Sequence, residues 1–223
     1  MSWWEFWKAA APKTEFVQAY LDATTDRILG IRKVDQLNFT VLDTETSGLD
    51  PAKDSILSFG GVKITQSKIL VNQAVEWYPI ATDSGKKTAA IHGLVTVPNT
   101  LSKEDFAKNF LDYIGNSIIV GHHIGFDLEI LKTLLKPFGI TQLKNPVIDT
   151  YHLAIRLEQG PMQNMSNVKH DDYSLDALCR RYQLSPDDRH TAAGDAFLTA
   201  QLFLKLLAKA QSKGITTFQS LLS

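Results

Sequence analysis

The stretch Leu37 to Leu49, LNFTVLDTETSGL, decides how the rest of the chain is read. Leu37 to Leu42 is apolar or β-branched at almost every position, with Phe39, Val41 and Leu42 among them. Such a run fits a strand buried on both faces, although a buried helix segment has the same periodicity. Two carboxylates, Asp43 and Glu45, follow at once, and Ser47-Gly48 is expected to end the strand. Strand side chains alternate faces, so residues at i and i+2 point the same way, a few ångströms apart. Two like charges at the end of a buried strand repel, and one takes up a proton unless a cation is supplied. All-oxygen ligands suit Mg²⁺ or Mn²⁺. The alternative is a strand end with two solvated acids before a turn.

The whole chain of 223 residues is long enough for one sizeable core with an appendage. At 44% hydrophobic and 21% charged it has the balance of an ordinary globular enzyme. Its formal net charge of −1 excludes a global basic field for sequence-independent nucleic-acid binding, so an anionic substrate must be held by local groups or bound metal. The single cysteine, Cys179, excludes an internal disulfide and suits a reducing cytosol. No apolar run reaches bilayer length and no secretory pattern opens the chain, so a cytoplasmic location without integral membrane association is expected.

Residues 1–34 differ in character from 35–223 and are read as an N-terminal aromatic helical extension to a catalytic domain. Trp3, Trp4, Phe6 and Trp7 crowd one short span, and Phe16, Val17, Tyr20, Leu21 and Ile28 recur at roughly helical spacing after Pro12, with Thr14 as N-cap. The aromatic cluster is expected to pack on the domain's own sheet or on a second copy of the chain, with a protein partner or a membrane surface as alternatives.

Beyond the opening strand, Ser55–Ile64 and Ile69–Trp77 read as strands on short links, an antiparallel meander, with Gly60-Gly61 as a bulge or close-approach point. Residues 79–88 read as loop and Ala89–Leu94 as a short helix ending at Gly93. A helix capped by Ser102 and running to about Ile114 follows. The pattern then alternates: strand Ile118–Gly121, amphipathic helix Phe126–Lys136 with Leu128, Leu131, Leu134 and Leu135 inward, strand Val147–Thr150 running into helix Tyr151–Leu157, a polar loop over 159–172, helix Leu175–Tyr182 and long helix Thr191–Lys209. These elements make an α/β fold, a mixed five-stranded sheet of three meander strands and two further strands flanked by helices.

Three further positions carry chemistry. Asp127 follows His122, His123 and Phe126 at the start of a helix, where the helix dipole favours an acid in any case. His190 and Asp195 open the long helix in HTAAGDA; five apart, they do not stack on an ideal helix, but both border one cleft if His190 lies in the preceding loop. Singly, each has an ordinary structural explanation. Together, Asp43-x-Glu45, His-x-x-x-Phe-Asp127 and His190-x-x-x-x-Asp195, in that order, resemble the DEDDh branch of the DEDD exonucleases, the DnaQ-like family typified by the proofreading epsilon subunit of bacterial DNA polymerase III. The resemblance covers roughly residues 37–210. Ile91-His92-Gly93-Leu94, Asp149-Thr150 and Ser174-Leu175-x-x-Leu178-Cys179 are smaller echoes. His123 stands where many members have asparagine, and residues 1–34 lie outside the family domain.

The resemblance implies a ribonuclease H-like fold and hydrolysis from the 3′ end with two Mg²⁺ ions, Mn²⁺ serving as a substitute. By it, Asp43, Glu45 and Asp195 hold one ion, and Asp43 bridges to a second held by Asp127. His190 is the general base, and nucleoside 5′-monophosphates leave. Two such ions, roughly 4 Å apart, stabilise both the attacking and the leaving oxygen, and a histidine is a suitable base near neutral pH. The resemblance also implies that backbone groups of Thr44 and Glu45 contact the terminal 3′ hydroxyl, that Leu49 and Phe126 wedge the last bases, and that His92 sits near the terminal nucleotide. The His123 side chain is expected to pin the loop before Asp127.

The function expected is therefore a metal-dependent 3′–5′ exonuclease on single-stranded 3′ ends, DNA first, with RNA ends or short oligoribonucleotides as the alternative, because contacts to the 2′ hydroxyl are not legible in a motif. A non-catalytic module that binds nucleic-acid ends or tethers a polymerase is the alternative of another class. Four acids and a histidine, all intact, argue against it. The C-terminal GITTFQSLLS is too short for a polymerase-binding domain, which favours a free-standing enzyme over a replicative subunit.

Overall fold

β1 (Asn38–Thr46) is buried on both faces because its side chains alternate between two different cores. Phe39 and Val41 join one cluster, and Leu42 joins the other. Thr40 is fully buried and its hydroxyl is matched by Ser117 at 2.7 Å, as a polar group in a core requires. The computed structural model describes residues 14–80, 100–161, 165–186 and 188–223. The expected helix over 89–94, His92 within it and the aromatic cluster of residues 3–7 lie outside the described residues.

β1 pairs antiparallel with β2 (Ile56–Thr65), which pairs antiparallel with β3 (Lys68–Pro79). Gln66 and Ser67 both have positive φ, the conformation that a two-residue hairpin needs to match strand twist. The meander is as read from sequence. The sheet, however, has six strands and not five, because β4 (Thr100–Leu101) pairs in parallel with Tyr78 and Pro79 at the end of β3. Two residues are too few to leave a period of alternation in a sequence, so such a strand exists only by virtue of its neighbour.

Next come α2 (Lys103–Ile114), β5 (Ile118–Gly121), α3 (Gly125–Leu135), β6 (Val147–Asp149), α4 (Thr150–Gln159), α5 (Leu175–Arg181), α6 (Ala192–Ser212) and α7 (Phe218–Leu222). The Ser102 hydroxyl accepts from the Asp105 amide at 3.0 Å, so the expected cap is made. The polar stretch after α4 contains short 3₁₀ turns at Met165–Asn167 and His170–Tyr173. β5 and β6 run parallel to β1, in the order β4-β3-β2-β1-β5-β6. The carboxyl ends of β1, β5 and β6 therefore open on the same edge, the usual place for a site in a sheet with parallel strands.

α6 covers the Phe39 face, where Phe203 meets Phe39 edge-on at 5.0 Å. α2 and α3 cover the Leu42 face through Phe106, Phe110, Ile130 and Leu131. α1 (Glu15–Ala23) belongs to this second layer: Val17 and Tyr20 are buried in it, and the Tyr20 hydroxyl donates to Asn145 Oδ1 at 2.8 Å. Ile28, read with this helix from its spacing, lies beyond the helix end. Val34 N donates to Thr216 O and Phe218 N to Arg32 O, so residues 14–34 are stitched to the domain at both ends. Among the described residues, no helix is long and apolar enough to cross a membrane.

Candidate active site

The two faces of β1 determine where the acids go. Asp43 and Glu45 continue the row of Phe39 and Val41 and so lie on the α6 side. Asp195 comes up to meet them from the first turn of α6, where the helix dipole favours an acid. One carboxylate oxygen from each of Asp43, Glu45 and Asp195 lies within 4.8 Å of the others. α6 gets this close because Gly60 of β2 has no side chain: a Cβ there would meet the Ala192 carbonyl carbon and oxygen at 2.1 Å. The close-approach glycine read from the sequence thus seats the helix that carries Asp195.

Asp127 arrives from the opposite face. It lies in the first turn of α3, and Thr44, the residue of β1 that points that way, holds it. The Thr44 amide and hydroxyl both donate to Asp127 Oδ1, at 2.8 and 2.6 Å. The fourth acid therefore stands outside the trio of closely grouped oxygens, at the next position along the same strand end. Thr44, expected to face substrate through its backbone, spends its amide on this acid.

The electrostatics are those of an acid cluster short of counter-charge. Burial first, and then the charges of Asp127, Asp195 and Glu45, hold the Asp43 carboxyl well above the ordinary carboxylate range. Burial pushes Asp127 up to about 6, against the pull of its two bonds from Thr44. His122, on the edge beyond β5, is driven down to about 3, mainly by burial, and so stays neutral near pH 7; its Nδ1 meets the Thr150 hydroxyl at 2.9 Å. All-oxygen donors in this number and spacing fit a hard divalent cation.

Three loops complete the rim. The first, Ser47–Ser55, is closed by Asp54, which accepts from the Ser47 hydroxyl at 2.8 Å and from the Asp50 amide at 2.9 Å. It holds the Leu49 side chain out to solvent, 90% exposed. The second runs from β5 into α3. His123 adopts φ +55°, a region that asparagine and histidine tolerate better than most residues, which accounts for histidine at an asparagine position. The pin expected from its side chain is made instead by its backbone amide, which donates to Asp149 Oδ1 at 3.0 Å, while the ring lies 4.3 Å from that of Tyr151. Asp149 also caps α4 through the Tyr151 amide, so this pair serves structure. Phe126 is half-buried beside Asp127 and packs on the α2/α3 core.

The third loop precedes α6. His190 lies there, exposed and at φ +65°, immediately before the Thr191 cap, so it stands in the loop and not on the helix. Arg189, which the sequence reading passed over, donates from Nε to Asp176 Oδ1 at 2.8 Å and from Nη1 to Asp195 Oδ1. Its position beside His190, in the middle of an acidic constellation, was the only signal available.

A family model described as exonuclease (RNase_T) matches residues 40–203. The PolC-type DNA polymerase III of Thermotoga petrophila is 32% identical over 206 residues, which cover 90% of this chain and 14% of that protein. The epsilon-like protein of Rhodobacter capsulatus is 31% identical, over 85% of this chain and 26% of the relative. The chain thus spans a small part of these relatives. The DNA polymerase III epsilon subunit of Aquifex aeolicus, 26% identical, is covered to 87% of its length by 82% of this chain. Among solved structures, E. coli exonuclease I in complex with a dT13 oligonucleotide matches with a TM-score of 0.61 at 17% identity, over 80% of this chain and 43% of that one. The α/β sheet with its flanking helices is thus the fold of these exonucleases, as the three motifs implied. The chain belongs to the RNase_T exonuclease family.

Proposed function

We propose that this exonuclease hydrolyses phosphodiester bonds at single-stranded 3′ ends, DNA before RNA, with two Mg²⁺ ions for which Mn²⁺ substitutes, releasing nucleoside 5′-monophosphates. The observation that carries the reading is the convergence of Asp43, Glu45 and Asp195 at the carboxyl end of β1, with Asp127 tied to the next residue. Asp43, Glu45 and Asp195 would hold one ion, with Asp43 shared and Asp127 serving the second. When bound, the cations neutralise the cluster and supply Lewis-acid stabilisation to the attacking and leaving oxygens. His190 takes the proton from the attacking water; its place on an exposed loop leaves the ring open to solvent and substrate. Leu49 and Phe126 grip the terminal bases through apolar contact, which reads no sequence. Thr44 and His92 line the terminal nucleotide.

The sheet-end setting supports single strands: the half-buried Asp43 and Glu45 stand at the carboxyl end of β1, just before the loop that carries the exposed Leu49. Exonuclease I with dT13 makes an oligothymidylate the first substrate to try. Of residues 1–34, those from 14 onward pack on this domain, so it is residues 1–13, with the aromatic cluster, that serve a protein partner or a second copy; the enzyme works in the cytoplasm. Degradation of 5′-labelled DNA and RNA of one sequence, with Mg²⁺, Mn²⁺ or EDTA, tests the reading. A metal-dependent ladder shortening from the 3′ end, faster on DNA, is expected. Faster loss of the RNA would reassign the sugar. No cleavage of either, with Mn²⁺ demonstrably bound, would make this an end-binding module.

A further inference from the structure

Arg189 sits where a cation is least expected in a site built for divalent metal. Its side chain is only 17% exposed and spans two carboxylates on two helices, Asp176 of α5 and Asp195 of α6. Burial would lower its affinity for the proton, but the hydrogen bonds to Asp176 and Asp195 more than reverse this. The Asp176 carboxyl is in turn held below its usual range, first by this guanidinium. The backbone carrying Arg189 is constrained on both sides. Asp188 and His190 have φ of +55° and +65°. The Asp188 carbonyl accepts from the Thr191 hydroxyl at 2.9 Å and lies so near Gly194 that a Cβ there would stand 2.0 Å from it. The loop is thus pressed onto the first turn of α6, with Arg189 as its inward-reaching side chain and His190 as the next residue.

We propose that Arg189 is a positioning residue: bridging Asp176 and Asp195, it fixes the rotamer of Asp195 and the path of the His190 loop before metal binds. The inference rests on the reading of the acid cluster as a cation site. The contact takes one oxygen of Asp195, Oδ1, and a carboxylate has a second. Carboxylates that bind metal are themselves commonly held by hydrogen bonds that orient them. The rival explanation is a spare counter-charge that a metal ion must displace. The two differ in sign. A displaced counter-charge weakens metal binding while it is present, so its loss tightens binding; a clamp does the opposite. They also differ in what replaces it, because lysine carries the charge but offers no planar fork to reach two carboxylates at once.

The test is Mn²⁺ titration calorimetry on the EDTA-stripped full chain, with oligothymidylate kinetics alongside. Arg189→Gln is expected to weaken Mn²⁺ binding about tenfold or more, and Arg189→Lys not to restore it. kcat is expected to fall in both with KM for the oligonucleotide unchanged, since Arg189 reaches acids and not substrate. Asp176→Asn, which cuts only the far anchor at a half-exposed residue, should weaken Mn²⁺ binding in the same direction by less, and keeps the test sound if the Arg189 variants fold poorly. Tighter or unchanged Mn²⁺ binding in Arg189→Gln, full restoration by Arg189→Lys, or wild-type affinity in Asp176→Asn would each overturn the clamp. A wild-type chain that binds no Mn²⁺ would instead overturn the metal reading itself, and is seen before any variant is compared.

Discussion

The two faces of β1 solve the same problem differently. On the α6 side, Asp43 and Glu45 project from the strand and Asp195 closes on them, so three carboxylates share one small volume, and Arg189 on Asp195 offsets only part of what lifts the Asp43 carboxyl. On the α3 side, Thr44 projects as a neutral donor, and its amide and hydroxyl hold one acid, Asp127. The α6 side gathers three acids about one guanidinium, that of Arg189 on Asp195; the α3 side gives one acid two donors, and burial still lifts that acid. The division begins with period-two alternation, since D-T-E on a strand sends the two acids one way and the donor the other; the helices that bring Asp195 and Asp127 complete it. On the proposed function, the α6 side would bind charge and the α3 side would place a single acid.

That contrast can be broken most directly at Asp43. Asp43→Ala should lower kcat/KM by about 10³-fold or more, because several kcal/mol of metal-borne stabilisation goes with it, while circular dichroism stays that of the wild type. Cleavage at the wild-type rate with Mg²⁺ would remove the α6 side from the chemistry. Thr44→Val keeps the amide bond to Asp127 and deletes the hydroxyl bond, so activity should fall about 10- to 100-fold, with Mn²⁺ still bound by the α6-side trio. If calorimetry finds Mn²⁺ binding as damaged as in Asp43→Ala, the faces are not separable.

Leu49→Ala probes the rim beside both faces. It should raise KM for a single-stranded oligonucleotide about tenfold, the scale of one lost contact with a base. The melting temperature should not move, since the side chain buries almost nothing in the free protein. A loss in stability of several degrees would make Leu49 a packing residue instead.

The smallest effect concerns stability and pH. Asp43 and Asp127 have folded pKa values raised above the unfolded value near 3.8, Asp127 to about 6. Between those limits the folded state binds protons that the unfolded chain has released. The stability of the metal-free protein from these groups is therefore present below the unfolded pKa and declines as pH rises through the window. Asp43→Asn, neutral at every pH, should melt a few degrees higher than the metal-free wild type at pH 8, roughly 1–2 kcal/mol at the usual scaling. The two should converge near pH 4. Mg²⁺ should raise the wild-type melting temperature at pH 8 more than that of the variant. A variant less stable than the wild type at pH 8 without metal would mean that Asp43 is not short of counter-charge.

Much of this is legible in the amino-acid sequence. Hydrophobic runs of four to six residues, and carboxylates set two apart or just inside a helix, are local facts, and local facts determine strands, helix starts and the side of a strand on which an acid stands. The meander, Ser102 as a cap, Gly60 as a place of close approach and the order of the three motifs all belong to this class. The tertiary structure alone decided the rest. β4 is a strand only because Tyr78 and Pro79 lie beside it, and α1 is part of the second core because Tyr20 finds Asn145, 125 positions away. Thr44 meets Asp127 across 83 residues, and Arg189 bridges two helices. Each of these contacts depends on the mutual placement of elements whose own sequences are ordinary, and periodicity within an element carries no information about what stands opposite it.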